Sequence, residues 1–281
     1  MPTTDVLMIT YQRPEYTRLA LERLLERSGP ASLRVWIWHN GGHAPTLEVV
    51  RSLAGHPSVQ AFHHSHENRG LRAPTNWLWE SATGDYLAKV DDDCLVLGDW
   101  PLRLLAAHRD CEVFGVLGAW EFPDEDFDPL LAGPKIRAFS GGQRLLQNLW
   151  VGGSGYLMKR RCFDELGPLR PGQSFPQYQI NLAQRGWVHG WPYPFVRQEH
   201  MDDPRSSYCM LRSDQDLLLG RGLSASANGC STLAEWTETI RRSARLVQTA
   251  PLELRYYRGW RRWLRAGQRR IARHFGNRRQ W

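Results

Sequence analysis

The stretch TGDYLAKVDDD, residues 83–93, decides how the chain is read. Thr83-Gly84-Asp85 is a turn signal, and Tyr86–Val90 is a short apolar run suited to a buried strand. Asp91-Asp92-Asp93 then closes the strand with three consecutive carboxylates. Carboxylates this close repel one another unless a cation neutralises them, and hard divalent cations prefer such oxygen ligands. Asp93 and Asp91 are therefore candidate metal ligands. The competing reading is a solvated acidic turn.

Working outward, the preceding sequence repeats one alternation. Val6-Leu7-Met8-Ile9 reads as a buried strand, and Pro14 opens a helix with Tyr16, Leu19, Ala20 and Leu24 at helical spacing. Leu33–Trp38 is a second strand ended by Asn40-Gly41-Gly42, followed by a helix over Thr46–Leu53. A third strand is expected near Val59–Phe62, and a helix over Ala73–Ala82 leads back to the acidic strand. Strands separated by helices imply an α/β fold whose mostly parallel sheet has both faces covered. Ligands in such sheets bind beyond the carboxyl ends of the strands. Three polar clusters fall there: Thr10-Tyr11, His39-Asn40 and Asp91-Asp92-Asp93.

Downstream, residues 119–150 read as an irregular, acid-, Pro- and Gly-rich loop. Order returns with Val151–Lys159 and a helix near Tyr178–Arg185. Gly220–Asn228, small and polar, reads as a linker, and Thr232-x-x-Glu235 as a capping box for a helix ending before Pro251. The charge is split. Residues 241–281 hold thirteen arginines and one acid, a net +12 in a chain of net +7, so residues 1–240 carry −5. Five scattered cysteines without a CxxC pair argue against a disulfide framework or a zinc site. With no leader and no 18-residue apolar run, the expected setting is cytoplasmic, peripheral on the inner face of a membrane.

In their order, VLMITYQRPEYTRLALERLL, VWIWHNGG and HENRGLRAPTNWLWESATGDYLAKVDDD resemble glycosyltransferase family 2 over roughly residues 5–200. The resemblance implies a GT-A Rossmann-like sheet flanked by helices. It also implies transfer of a sugar from a nucleotide-diphosphate donor, UDP foremost, to a glycan or lipid-linked acceptor, with Mn²⁺ or Mg²⁺ as cofactor. Thr10, Tyr11, Arg13 and Asn40 would then lie near the nucleobase, and Asn68, Gly70 and Asn76 would close over the nucleotide. Asp91 and Asp92 would face the donor, with Asp91 and Asp93 as the DxD pair and Asp93 the direct metal ligand. His200, flanked by Glu199 and Asp202, matches a third metal ligand; its imidazole suits Mn²⁺ better than Mg²⁺. Gly152 and Gly153, with Trp150, resemble the family's acceptor-side glycine segment, where a bare backbone lets a sugar approach. His63, His64 and His66 lack ligand spacing and read as solvated.

The chain departs from the family at one point. An inverting transfer needs a general base near the attacking hydroxyl. The family's carboxylate pair before the helix at Ile180–Arg185 is absent, since residues 171–179 read PGQSFPQYQ. Asp202 and Asp203 are the first candidates, with Glu121 and Asp124 behind them. An anionic acceptor, or a catalytically quiet sugar-nucleotide-binding relative, would account for the gap equally. A nucleotidyltransferase would need a Gly-rich, Arg-containing loop after the first strand, where this chain has Thr-Tyr-Gln-Arg-Pro-Glu.

The chain is expected to divide into a catalytic domain, residues 1–215, and a basic amphipathic helical extension, residues 216–281. From Tyr256 onward Tyr257, Trp260, Trp263, Leu264, Ile271 and Phe275 share one helical arc, opposite Arg258, Arg261, Arg262, Arg265, Arg269 and Arg273, with Arg270 at the flank. Three readings stand: an anionic membrane surface, packing on the catalytic domain, and nucleic acid, the last fitting a glycosyltransferase of modified bases.

Overall fold

The computed structural model describes residues 2–29, 32–220 and 223–257. Eleven strands occur among them: β1 (Thr4–Thr10), β2 (Leu33–Asn40), β3 (Val59–Ser65), β4 (Tyr86–Asp91), β5 (Cys94–Val96), β6 (Phe114–Gly118), β7 (Ile136–Ala138), β8 (Arg144–Asn148), β9 (Tyr156–Lys159), β10 (Val188–Pro192) and β11 (Gln198–His200). The α-helices are α1 (Pro14–Glu26), α2 (Ala44–Leu53), α3 (Arg72–Ser81), α4 (Trp100–Asp110), α5 (Pro129–Ala132), α6 (Arg160–Leu166), α7 (Phe175–Ala183), α8 (Asp214–Gly220), α9 (Leu223–Asn228) and α10 (Leu233–Thr249).

Nine strands form one sheet in the order β3-β2-β1-β4-β9-β6-β10-β8-β7. The first four are parallel, β9 runs against both β4 and β6, and β10 returns parallel to β6. All seven residues of β1 are buried because both faces of the strand are covered. Val6 and Met8 pack with Tyr16, Leu21 and Leu24 of α1, whereas Leu7 and Ile9 pack with Leu78 and Trp79 of α3 on the other side. The period of two thus sends alternate side chains into two cores. Trp79, Trp100 and Trp120 are fully buried, so much of the tryptophan content is core.

From β1 the chain builds β2 and β3 to one side, then crosses to lay β4 on the other. That reversal opens a crevice at the carboxyl ends of β1 and β4, where register sets Asp91 beside Ile9. A second, two-stranded sheet pairs β11 antiparallel with β5 and sets His200 opposite Cys94.

Residues 119–150 are not wholly irregular: β7 and β8 form a short hairpin at the sheet edge, with Leu145 and Leu146 buried. Within Val151–Lys159 the strand begins at Tyr156. The expected linker at Gly220–Asn228 contains α9. The boundary expected between residues 215 and 216 falls inside α8, and α10 buries Trp236, Ile240 and Ala244 in the same core as Leu7. Thr232 and Glu235 form the expected capping box of α10. Residues 258–281, which carry most of the basic arc, lie outside the described residues. Among the described residues no helix is long and apolar enough to cross a membrane.

Two buried histidines link the fold to pH. His189 accepts the Val116 amide on Nδ1 at 3.0 Å and hydrogen-bonds the Gln179 carbonyl through Nε2 at 3.0 Å, an arrangement open only to the neutral ring. Burial lowers its pKa to about 3, and does the same for His108. Because the folded pKa lies below the unfolded one, stability is complete above about pH 6.5 and falls as the pH drops toward 3, by about 2 kcal/mol per histidine at pH 5. Denaturant melts at pH 7.5 and 5 should show a steeper acid loss for the wild type than for His189→Gln, a comparison that cancels the carboxylates. Equal slopes would contradict this account.

Candidate active site

At the head of the β1–β4 crevice each aspartate of the triplet has a different partner. Asp92 points down: its Oδ2 accepts the Tyr11 amide at 2.9 Å and the Thr17 hydroxyl at 3.0 Å, fastening the β1–α1 loop to β4. Burial, outweighing the Arg13 charge, raises its carboxyl to about 7. Asp91 is the last residue of β4, on the same face as Lys89 two positions earlier, and the two form an ion pair. Lys89 also donates to the Gly153 carbonyl at 3.0 Å, and the Asp91 amide donates to Ser154 Oγ at 2.9 Å. Burial raises the Asp91 carboxyl against the pull of Lys89.

Asp93 turns the other way, toward His200 and Asp202. Ligand atoms of these three residues all lie within 4.8 Å of one another, a set of two carboxylates and one imidazole suited to a divalent cation. The β5–β11 pairing creates this group, reinforced by the Met201 amide donating to the Asp93 carbonyl at 2.8 Å. The expected ligands Asp93, Asp91 and His200 are joined here by Asp202; Asp91 pairs with Lys89, as Asp93 and Asp202 pair with Arg13. Asp202 was marked in the sequence as a base candidate; its two oxygens meet Arg13 Nη1 at 2.6 Å each.

Arg13 is the cationic partner of the group, with Nη2 on Asp93 at 2.7 Å as well. Burial alone would raise the Asp93 carboxyl, but Arg13 and His200 overcome it and bring it down to about 2. Burial likewise opposes protonation of His200, and Asp93, Glu121, Asp202 and Asp203 outweigh it and raise its pKa.

Beside this centre lies a cleft of about 180 Å³ lined by Tyr11, Arg13, Asn40, Asn68, Gly70 and Asp91 to Asp93. Asn40 organises its wall: Oδ1 accepts from Trp38 Nε1 and the Arg69 amide, and Nδ2 donates to the Gly70 carbonyl. Leu219, Gly220 and Ser224 of α8 and α9 complete the lining, which no sequence motif announced. Two expected donor contacts do not reach the cleft. Thr10 is fully buried and hydrogen-bonded to His39 at 2.9 Å, since its strand position points it at β2. Asn76 uses its amide on the backbone of Leu169, at 2.9 and 3.0 Å, and so ties α3 to the segment before α7.

A second cleft, about 340 Å³, opens on the far side of His200, with Glu121, Asp124, Arg197, Gln198, Glu199 and Asp203 among its walls. Gly152 lies against the Glu121 carboxylate, and a Cβ there would sit 3.2 Å from Oε1. Trp150 is set apart from both clefts and packs edge-on against Tyr257 at 5.6 Å. Asp203 is locked by Arg205, which spans to Asp126 and Glu125. Burial raises the Glu121 carboxyl, only partly offset by His200. Gly155 has φ +65°, and a Cβ there would lie 2.1 Å from Gln198 Oε1, so the turn admits only glycine.

This architecture agrees with the comparisons. Residues 5–167, more than half of the chain, match the sequence signature of glycosyl transferase family 2, and the protein belongs to that family. The succinoglycan biosynthesis protein ExoM of Rhizobium meliloti (strain 1021) is 31% identical over 118 residues, covering 41% of this chain and 37% of that protein. The chain thus matches little more than a third of that relative's length. Among solved structures, the mannosyltransferase PcManGT from Pyrobaculum calidifontis, in complex with GDP-Man and Mn²⁺, superposes with a TM-score of 0.57. It is 17% identical, over 96% of this chain and 80% of its own. GalNAc-T7 with UDP, GalNAc and Mn²⁺ superposes at 0.55 with 14% identity, over 71% of this chain and 44% of its own. Both likenesses are of fold.

The Arg13 contacts carry a direct consequence. Removing the guanidinium leaves Asp93 and Asp202 facing each other with their chief cation gone, a loss of about 3–5 kcal/mol for a broken buried pair. Arg13→Ala should lower the urea midpoint accordingly when measured with chelator present. An unchanged midpoint would mean that the two carboxylates do not depend on Arg13.

Proposed function

We propose that the protein transfers a sugar from a nucleoside-diphosphate sugar to a hydroxyl acceptor by a cation-dependent, inverting displacement. The observation that carries this reading is the convergence of Asp93, His200 and Asp202 beside a cleft walled by Tyr11, Asn40, Asn68 and Gly70. Family membership supplies the reaction class, and the similar Mn²⁺-bound structures support a divalent cofactor.

In this reading the nucleoside occupies the first cleft, against Tyr11 and the Asn40–Gly70 wall. Asp93, His200 and Asp202 would hold Mn²⁺ or Mg²⁺, which would supply charge neutralisation for the departing diphosphate. Lys89 holds Asp91 toward the sugar-ribose end, and Asp92 keeps Tyr11 in place. The second cleft takes the acceptor, a glycan or lipid-linked glycan. Resemblance favours uridine, and the GDP-Man-bound relative makes guanosine the first comparison. The basic residues 258–281 extend the proposal to an acceptor presented at an anionic membrane surface.

Thermal melts with UDP-glucose, UDP-N-acetylglucosamine and GDP-mannose, each with and without Mn²⁺, test the reading. One donor at a hundredfold excess over its Kd should add about 2.7 kcal/mol of stability, only with the ion present. Asp93→Ala should remove that gain and lower turnover at least a hundredfold. A donor effect indifferent to both Mn²⁺ and Asp93 would defeat the proposal.

A further inference from the structure

The helix that in the family follows the base, α7, begins here with Ser174 as its cap and no carboxylate nearby. Gln179, inside this helix, clamps the Val151 backbone from both sides, at 2.8 and 3.1 Å, so its side chain is spent on holding the glycine segment. Three other candidate carboxylates, two of them in the acceptor cleft, are committed. Asp202 belongs to the cation-holding group and is gripped by Arg13. Asp203 takes three hydrogen bonds from Arg205, at 2.7 to 2.9 Å. Asp124 is paired with Arg197 and its side chain is 88% exposed at the rim.

Glu199, also in that cleft, accepts from Ser206 Oγ, whereas Glu121 lies against the bare backbone of a glycine. It follows β6 and lines the cleft together with His200. Gln198 Nε2 donates to its Oε2 at 3.2 Å, which fixes the carboxylate plane over the bare backbone of Gly152. Its Oε1 receives no hydrogen bond among the described residues. A carboxylate oxygen without a hydrogen bond, in the cleft proposed for the acceptor, is the geometry a general base needs.

The geometry points to Glu121 as the general base of this enzyme, with Gln198 as its positioning residue. The assignment rests on the glycosyl-transfer reading above. In the step, the acceptor O–H bond breaks and its proton passes to Glu121 Oε1. The freed oxygen pair forms a bond to the anomeric carbon of the donor. The bond from that carbon to the diphosphate oxygen breaks, and its electron pair leaves with the nucleoside diphosphate. The base function has thus moved from the start of α7 to the end of β6.

The test uses the full chain with Mn²⁺, the donor selected by thermal melts and a panel of octyl glycosides as acceptors. Glu121→Gln should keep its melting temperature and bind donor within twofold of wild type by calorimetry, while transfer falls 10²- to 10⁴-fold. Sodium azide, a nucleophile with no proton to lose, should restore turnover in the variant as a glycosyl azide of inverted configuration. Gln198→Ala should lower kcat at least tenfold with donor KM unchanged. Transfer by Glu121→Gln within fivefold of wild type would overturn the assignment, and so would loss of donor binding, or intact donor binding without azide rescue. A wild type that consumes no donor would instead fail the transfer reading itself, which separates the two outcomes.

Discussion

Mutual repulsion among carboxylates in a poorly hydrated crevice is the constraint around which this structure is arranged. Asp91, Asp92, Asp93 and Asp202 approach one another where water screens little, and each is answered differently. Lys89 neutralises the first, amide and hydroxyl hydrogen bonds hold the second, and Arg13 bridges the other two. Elements far apart in sequence are present at this point because of those answers. Arg13 comes from the β1–α1 loop, Asp202 from beyond β11, and Trp236 of α10 donates to the Asp202 carbonyl at 2.8 Å. The C-terminal helices are thereby joined to the group of Asp93, His200 and Asp202.

The part of the fold before residue 93 was legible because its information is local. Runs such as Val6–Ile9, buried on both sides, and helices opened by prolines need no distant partner to be read. Past that point the signal weakens for physical reasons. β5 and β11 have three residues each and exist through their mutual pairing, roughly a hundred positions apart. α9 is built of Ser, Ala and Asn, a composition shared with linkers. β7 and β8 sit among glycines and prolines whose loop signature hides two short strands.

The same logic separates the site residues. The triplet declared itself through its density of charge, but the distribution of roles within it did not. Strand periodicity already set Lys89 and Asp91 on one face, two residues apart, where they pair. Asp202, two positions after His200, was visible as an acid, and only the β5–β11 register brings it to Asp93. Thr10 and Asn76 carry the family's residue types while serving the scaffold, a distinction that depends on which way a side chain turns.

One position draws a further consequence from the turn before β9. At Gly155 the backbone lies in a left-handed conformation, and the volume a methyl group would fill belongs to the Gln198 amide. That amide in turn steadies Glu121. An absent side chain therefore acts as a gauge block: a Cβ at Gly155 would lie 2.1 Å from Gln198 Oε1, so the bare backbone fixes the orientation of a carboxylate that it never touches.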